Sequence, residues 1–300
     1  MNGSYQCGED RHLQPIWDKL RSHRDLLASP FFPVVFSFTA NLVACAPYLL
    51  LDTMGPRWPF FHCYKLKPSH SFERDTVVRS LSRICYNHGL FIFPATLLFR
   101  GVRSEPGTLE APSTSQLLRD VIVCLLLFDL LVFFWHWLHH RVPLLYRYLH
   151  SLHHQHSSPF ALSAQYASGW EIVCLQLLAA SIPYLLSCHP LTEMTFFLLN
   201  VWLSVEDHCG YDLPWCAHNI VPFGILGGAP FHDLHHQRSR CNYAPYFTYL
   251  DKLFGTYKKP SRGQSNDRQA EEQRARERGN DEQVRLRVPH MVKLDTMEQQ

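Results

Sequence analysis

Residues 135–156 read WHWLHHRVPLLYRYLHSLHHQH and place His136, His139 and His140, then His150, His153 and His154, in two copies of the pattern H-x-x-H-H. The pattern returns as His232-Asp233-Leu234-His235-His236. With 19 His among 300 residues, random placement would give ~0.08 such matches, so composition does not account for three. On an α-helix, positions i, i+3 and i+4 share one face, and each triplet is expected to aim its rings at one point. A neutral imidazole carries one ring-nitrogen lone pair, and grouped imidazoles commonly hold a transition metal. Without a metal the grouping is costly: protonated rings repel one another, and neutral buried rings leave polar atoms unsatisfied.

The apolar runs around the triplets set the fold class. Residues 117–135 are apolar, with Asp120 at the edge and Asp129 inside, and lead straight into the first triplet. A carboxylate in such a run is expected to face protein rather than lipid. Upstream, Phe31–Leu51 (FFPVVFSFTANLVACAPYLLL) is uncharged and long enough for a bilayer core. Residues 84–99 (ICYNHGLFIFPATLLF) are interrupted by Asn87 and His88 and read as a second span or a partly embedded helix. Pro143 is expected to end the helix of the first triplet and to let another begin, carrying the second. Residues 170–187 and 190–205 flank His189-Pro190 and read as a helical hairpin that returns to its side of entry. That return would bring the third triplet back to the first two. Basic residues at Arg57, Lys65, Lys67, Arg74, Arg141 and Arg147 favour a cytoplasmic position for the triplets. The class expected is all-α: a multi-span membrane helical protein with a cytoplasmic, histidine-rich, di-metal helical cap.

Three segments are expected: a polar N-terminal segment at 1–30, a membrane and catalytic domain at 31–257, and a disordered charged tail at 258–300 containing RQAEEQRARERGNDEQ. Residues 1–30 show no cleavable leader pattern, so the first span is expected to direct targeting; Asn2-Gly3-Ser4 fits a glycosylation acceptor. A net charge of +2 gives no footprint for nucleic acid. Of the 10 Cys, Cys45, Cys124, Cys174 and Cys188 lie in apolar stretches and no C-x-x-C occurs, which reads as reduced core thiols, with a thiolate metal site as the alternative.

Three triplets and His208 supply nine or ten imidazoles, too many for one ion and suited to two. The H-E-x-x-H helix of zinc hydrolases and the E-x-x-H pairing of soluble di-iron bundles are absent around them. Iron can change oxidation state and zinc cannot, so an all-imidazole pair of irons suits activation of O2.

His136-x-x-x-His140, His150-x-x-His153-His154 and His232-x-x-His235-His236 resemble the three histidine boxes of the membrane fatty acid hydroxylase and sterol desaturase superfamily. FDLLVFFWHWLHHRVPLLYRYLHSLHHQHSSPFALSAQY, SVEDHCGYDLPWCAHNIVPFG and CNYAPYFTYLDKLFGT are similar to its sterol side-chain hydroxylases, and the likeness covers about residues 13–257. The resemblance implies an endoplasmic reticulum membrane enzyme that hydroxylates a sterol at carbon 25. It would use O2 and electrons from NADPH, passed through a membrane reductase or cytochrome b5. It implies two iron ions held by His136, His140, His150, His153, His154, His232, His235 and His236, with His208 added. His139, which the H-x-x-x-H box skips, would stand beside the ligands with Tyr146, Asp207, His218 and Asp233 and orient their rings. Asp233 reads equally well as a capping or solvated residue. Two alternatives remain: a different outcome in the same superfamily (C-4 methyl oxidation, desaturation or hydroxylation of another lipid), and a non-enzymatic membrane protein that binds or transports zinc.

Overall fold

In the computed structural model, which describes residues 12–68, 73–102 and 109–260, the first triplet ends a long helix and the third lies within a shorter one. Helices α1 (Gln14–Arg21), α2 (Phe32–Met54) and α3 (Arg74–Asn87) come first. A π-turn, His88–Ile92, joins α3 to α4 (Phe93–Val102), so the expected second span falls inside a longer helical stretch. Helix α5 (Thr114–Arg141) is followed by the hairpin α6 (Gly169–Leu185) and α7 (Pro190–His208), then by α8 (Gly228–Arg238) and the short α9 (Tyr249–Leu253). No strand occurs among the described residues. The structure is helical, as the apolar runs predict.

Local chemistry sets the helix ends. Ser113 caps α5 by accepting the Gln116 N–H at 3.2 Å, and Ser168 does the same for Glu171 in α6. Pro190 opens α7, capped by His189 Nδ1 accepting from the Leu191 N–H. Pro143 forces Val142 out of the helical region, to φ −101° and ψ 107°, and α5 stops there. The reversal between α6 and α7 turns on Ser187 at φ 53°.

Helix α7 is the hub. It packs against α2, α5, α8 and the 3-10 turn Ala161–Gln165. One core joins Cys45, Ile84, Leu162, Val201, Val205 and Ala229, and another joins Val121, Phe128, Ala179, Ile182 and Phe196. Two backbone N–H groups, of Tyr246 and Phe247, donate to Asp129 Oδ1 at 2.9 and 3.0 Å. The fully buried Asp129 thus faces protein. All cysteines among the described residues are free thiols.

One expectation changes. The second triplet does not ride on an α-helix: after the single turn Pro143–Leu145 the chain widens into a π-turn, Tyr146–His150, and then a 3-10 turn, His153–Gln155. Among the described residues only the helical stretch Phe32–Arg57 is both long and apolar enough, by length and composition, to cross a membrane. The helical domain ends at Lys259. The charged tail from Ser261 onward and Asn2-Gly3-Ser4 lie outside the described residues.

Candidate metal centre

All nine imidazoles singled out as ligands meet, in two adjoining groups. His136, His140, His150, His154 and His235 form one, and His153, His208, His232 and His236 form the other, with ligand atoms in each group within 4.8 Å of one another. In the first, Nε2 atoms follow one another at 3.2 Å (His136 to His140), 3.1 Å (His140 to His150), 3.0 Å (His150 to His154) and 3.1 Å (His154 to His235). In the second, His208 Nε2 lies 3.3 Å from that of His153 and 3.0 Å from that of His232, which is 3.1 Å from that of His236. The groups touch through His154 and His236, whose ring centroids are 4.6 Å apart.

No triplet sends all three rings to one group, contrary to the expectation. On an α-helix i+4 lies about 40° from i on one side and i+3 about 60° on the other, a separation of about 100°. The i and i+4 rings therefore stay together on the helices, as His136 with His140 and His232 with His236, and His150 pairs with His154 in the same way across the π- and 3-10 turns of the second triplet. The i+3 ring leaves: His153 and His235 each cross to the other group, and His139 joins neither.

Hydrogen bonds fix which nitrogen faces inward. Nδ1–H donates to the carbonyl oxygens of Tyr243 from His136, Ser204 from His208 and Cys241 from His235, each at 2.7 Å. His150 Nδ1–H donates to Glu171 Oε1 at 2.6 Å. A neutral ring that donates from Nδ1 has a bare lone pair on Nε2. At a metal–nitrogen bond of about 2.1 Å, ligand nitrogens stand about 3.0 Å apart at right angles and about 3.4 Å apart in a tetrahedron. Spacings of 3.0–3.3 Å fit metal coordination. Burial holds these rings neutral. It pushes His153 down to about 3, with the charge of His208 adding to the effect, and His208 down to about 4, partly offset by the bond to Ser204. Burial and then His136 push His140 down to about 2. Ligands must be deprotonated, so the residues present fit bound metal.

Glu171 was missed by sequence reading. It opens α6 in the S-x-x-E arrangement of Ser168 and Glu171, the signature of a capping box, and that local role hides its contact with His150. Among residues expected beside the ligands, Tyr146 lies against His140, His154 and His150 at centroid distances of 5.4, 6.0 and 6.2 Å. His139 donates to the Trp135 carbonyl at 2.6 Å and stacks on that indole. Asp207 is buried next to His208 in the chain. His218 lies elsewhere, pairing with Asp212 at 3.0 Å and grouping with Glu206 and Cys216. Asp233 pairs with Lys67 at 3.1 Å and with Gln237, not with an imidazole.

A cavity reaches the rings of His136, His150, His153, His208 and His232 from between α2, α5, α6 and α7. Its walls are largely apolar, built from Phe128, Val132, Ile172, Leu175, Phe197 and Val201. Lys and Arg are absent from its lining, and the acids present, Glu171 and Asp207, stand beside the imidazoles or their chain neighbours.

Comparison with known proteins follows the same stretch of chain. The fatty acid hydroxylase family profile matches residues 121–256. A cholesterol 25-hydroxylase-like protein of Danio rerio is 49% identical over 244 residues, 81% of this chain and 97% of the relative. Cholesterol 25-hydroxylase of Homo sapiens is 49% identical over 251 residues, 83% of this chain and 92% of the relative. A cholesterol 25-hydroxylase-like protein of Caenorhabditis elegans is 34% identical over 82% of each chain. No solved structure matches.

Proposed function

The chain belongs to the family of cholesterol 25-hydroxylase and its like proteins, within the fatty acid hydroxylases, and from that premise we propose that it converts cholesterol to 25-hydroxycholesterol. The reaction would use O2 and electrons from NADPH, delivered by a membrane reductase or cytochrome b5, at two iron ions held by the nine imidazoles. The observation that carries this reading is the coincidence of two imidazole groups with an apolar cavity opening onto them. Bound iron would supply activation of O2 for insertion into an unactivated C–H bond. This chain's residues contribute the rest. Tyr243, Ser204 and Cys241 carbonyls and Glu171 turn Nε2 lone pairs inward. The apolar walls exclude water and match a sterol body. A fatty carboxylate or phosphate headgroup would find no counter-charge there, which favours a neutral lipid.

Further, we propose a multi-span setting in the endoplasmic reticulum membrane with the imidazoles toward the cytoplasm. Leu118, Ile122, Leu126, Leu131, Phe134 and Leu138 are exposed apolar side chains along α5. Such a surface suits lipid better than water. At 28 residues, α5 is about 42 Å long, enough to cross a core of about 30 Å and carry the first triplet beyond it.

Mass spectrometry of sterols from microsomes given labelled cholesterol and 18O2 tests the reaction. Wild type should yield 25-hydroxycholesterol with one labelled oxygen, and His136→Gln or His235→Gln should lower the yield at least 100-fold while membrane insertion persists. Undiminished product from either variant, or no product from wild type, would sink the assignment. Iron near two per chain is expected on metal analysis.

A further inference from the structure

Four amides interrupt the apolar wall of the cavity; Gln176 donates to Ser37 and Asn200 accepts from Tyr246, which leaves Asn41 and Gln165. Asn41, on α2, is 1% exposed, and Gln165, at the end of the Ala161–Gln165 turn, is 9% exposed; both line the cavity that reaches the imidazoles. Asn41 Oδ1 faces the Cys45 thiol at 4.0 Å, whereas Asn41 Nδ2 has no hydrogen-bond partner among the described residues. Gln165 Oε1 is likewise buried and without a partner. The two sit on segments that pack directly against each other, α2 and the 161–165 turn.

A buried polar atom without a partner destabilises a fold; Glu171 Oε2 and Asp207 Oδ2 are also unpartnered, beside the imidazoles or their chain neighbours, and among the amides of the cavity one donor and one acceptor are left over. Their complement is a group that both accepts and donates one hydrogen bond while carrying no charge. An alcohol meets that description. A carboxylate or phosphate does not, because it cannot donate and no cationic side chain lines the cavity. We propose that Asn41 and Gln165 form a recognition site for the alcohol group of the lipid substrate, the Asn41 amide donating to the hydroxyl oxygen and the Gln165 carbonyl accepting its proton. The inference rests on the sterol reading for what fills the rest of the cavity. It adds selection by the substrate's polar end to a centre that acts on its apolar end. Both are positioning residues.

Binding to the purified full chain in nanodiscs, followed by scintillation proximity with tritiated cholesterol, tests the site apart from turnover. Competing ligands are 5-cholestene, which lacks the hydroxyl, and the 3-methyl ether, which cannot donate. A net hydrogen bond is worth about 3- to 10-fold in affinity, so wild type should prefer cholesterol to 5-cholestene by about 10-fold or more. Asn41→Leu and Gln165→Leu should each lower that preference about 3- to 10-fold, and the methyl ether should lose the Gln165 part alone. A misfolded variant would lose both ligands, since they share the apolar body, whereas a variant of the site loses only the preference. In turnover assays the change should fall on KM and leave kcat nearly as before. Equal binding of cholesterol and 5-cholestene by wild type, or an unaltered preference in both folded variants, overturns the proposal. Selective binding without any hydroxylated product would instead overturn the proposed reaction and leave the alcohol site standing.

Discussion

At the scale of single residues, the centre depends on which nitrogen of each imidazole faces inward, and for His136, His150, His208 and His235 that is decided by acceptors outside the triplets. Glu171 is the one acceptor among them that carries a carboxylate, and it is 2% exposed. Its Oε1 takes the Nδ1 proton of His150, whose Nε2 lies between those of His140 and His154. A carboxylate partner raises the basicity of a metal-bound imidazole and fixes its orientation, and losing such a partner weakens metal binding about 10- to 100-fold. Glu171→Leu should therefore lose metal to a chelator at a concentration about 10- to 100-fold lower than wild type does. Glu171→Gln, which keeps an acceptor oxygen, should fall between the two. Unchanged metal retention in Glu171→Leu would remove Glu171 from this role.

At the scale of elements, the centre needs α5 and the segment 241–247 to stay in register. His136 leaves α5 to meet the Tyr243 carbonyl, and Asp129, seven residues earlier on the same helix, holds the N–H groups of Tyr246 and Phe247. Asp251 fastens the same segment from the other side, accepting from the N–H groups of Tyr243 and Ala244. An Asp129→Ala substitution would leave two buried N–H groups without partners, at about 1–3 kcal/mol each. Thermal unfolding in detergent should show a loss of about 2–5 kcal/mol, with Asp129→Asn losing less because one acceptor oxygen remains. The start of α8 is equally constrained: Gly228 takes φ +68°, and a Cβ there would lie 2.0 Å from His218 Nδ1. A glycine is required at this turn into the third triplet by both conformation and space.

For the whole molecule, seven buried and two half-buried imidazoles make stability depend on pH. His153 and His208 are pushed down to about 3 and about 4, whereas an unfolded His titrates near 6.5. Above about pH 6.5 both states hold these rings neutral. As pH falls below that value the unfolded chain takes up protons that the folded chain refuses, so stability falls with pH. The metal-stripped protein should melt at a progressively lower temperature between about pH 6.5 and 4, and be nearly insensitive to pH, through these groups, above about 7. A melting temperature that rises on acidification would contradict the burial of the rings as neutral groups.

The sequence alone determined the helical class, the three places where imidazoles cluster, and the family, because these are written in local patterns. A run such as 117–135 states its helix, Pro143 its end, and the H-x-x-H-H spacing its metal chemistry. Only the tertiary structure decided how the rings are shared. Local spacing puts His139, His153 and His235 in the same position of their triplets, yet one joins neither group and two cross over. That outcome depends on what α7 and the segment 241–247 bring alongside, which the local spacing does not encode. Glu171 and the amides of Asn41 and Gln165 were hidden for the same reason. A carboxylate at a helix start and an amide in an apolar run have ordinary local explanations, and they acquire a second role only when packing removes water and leaves each facing one particular neighbour or cavity.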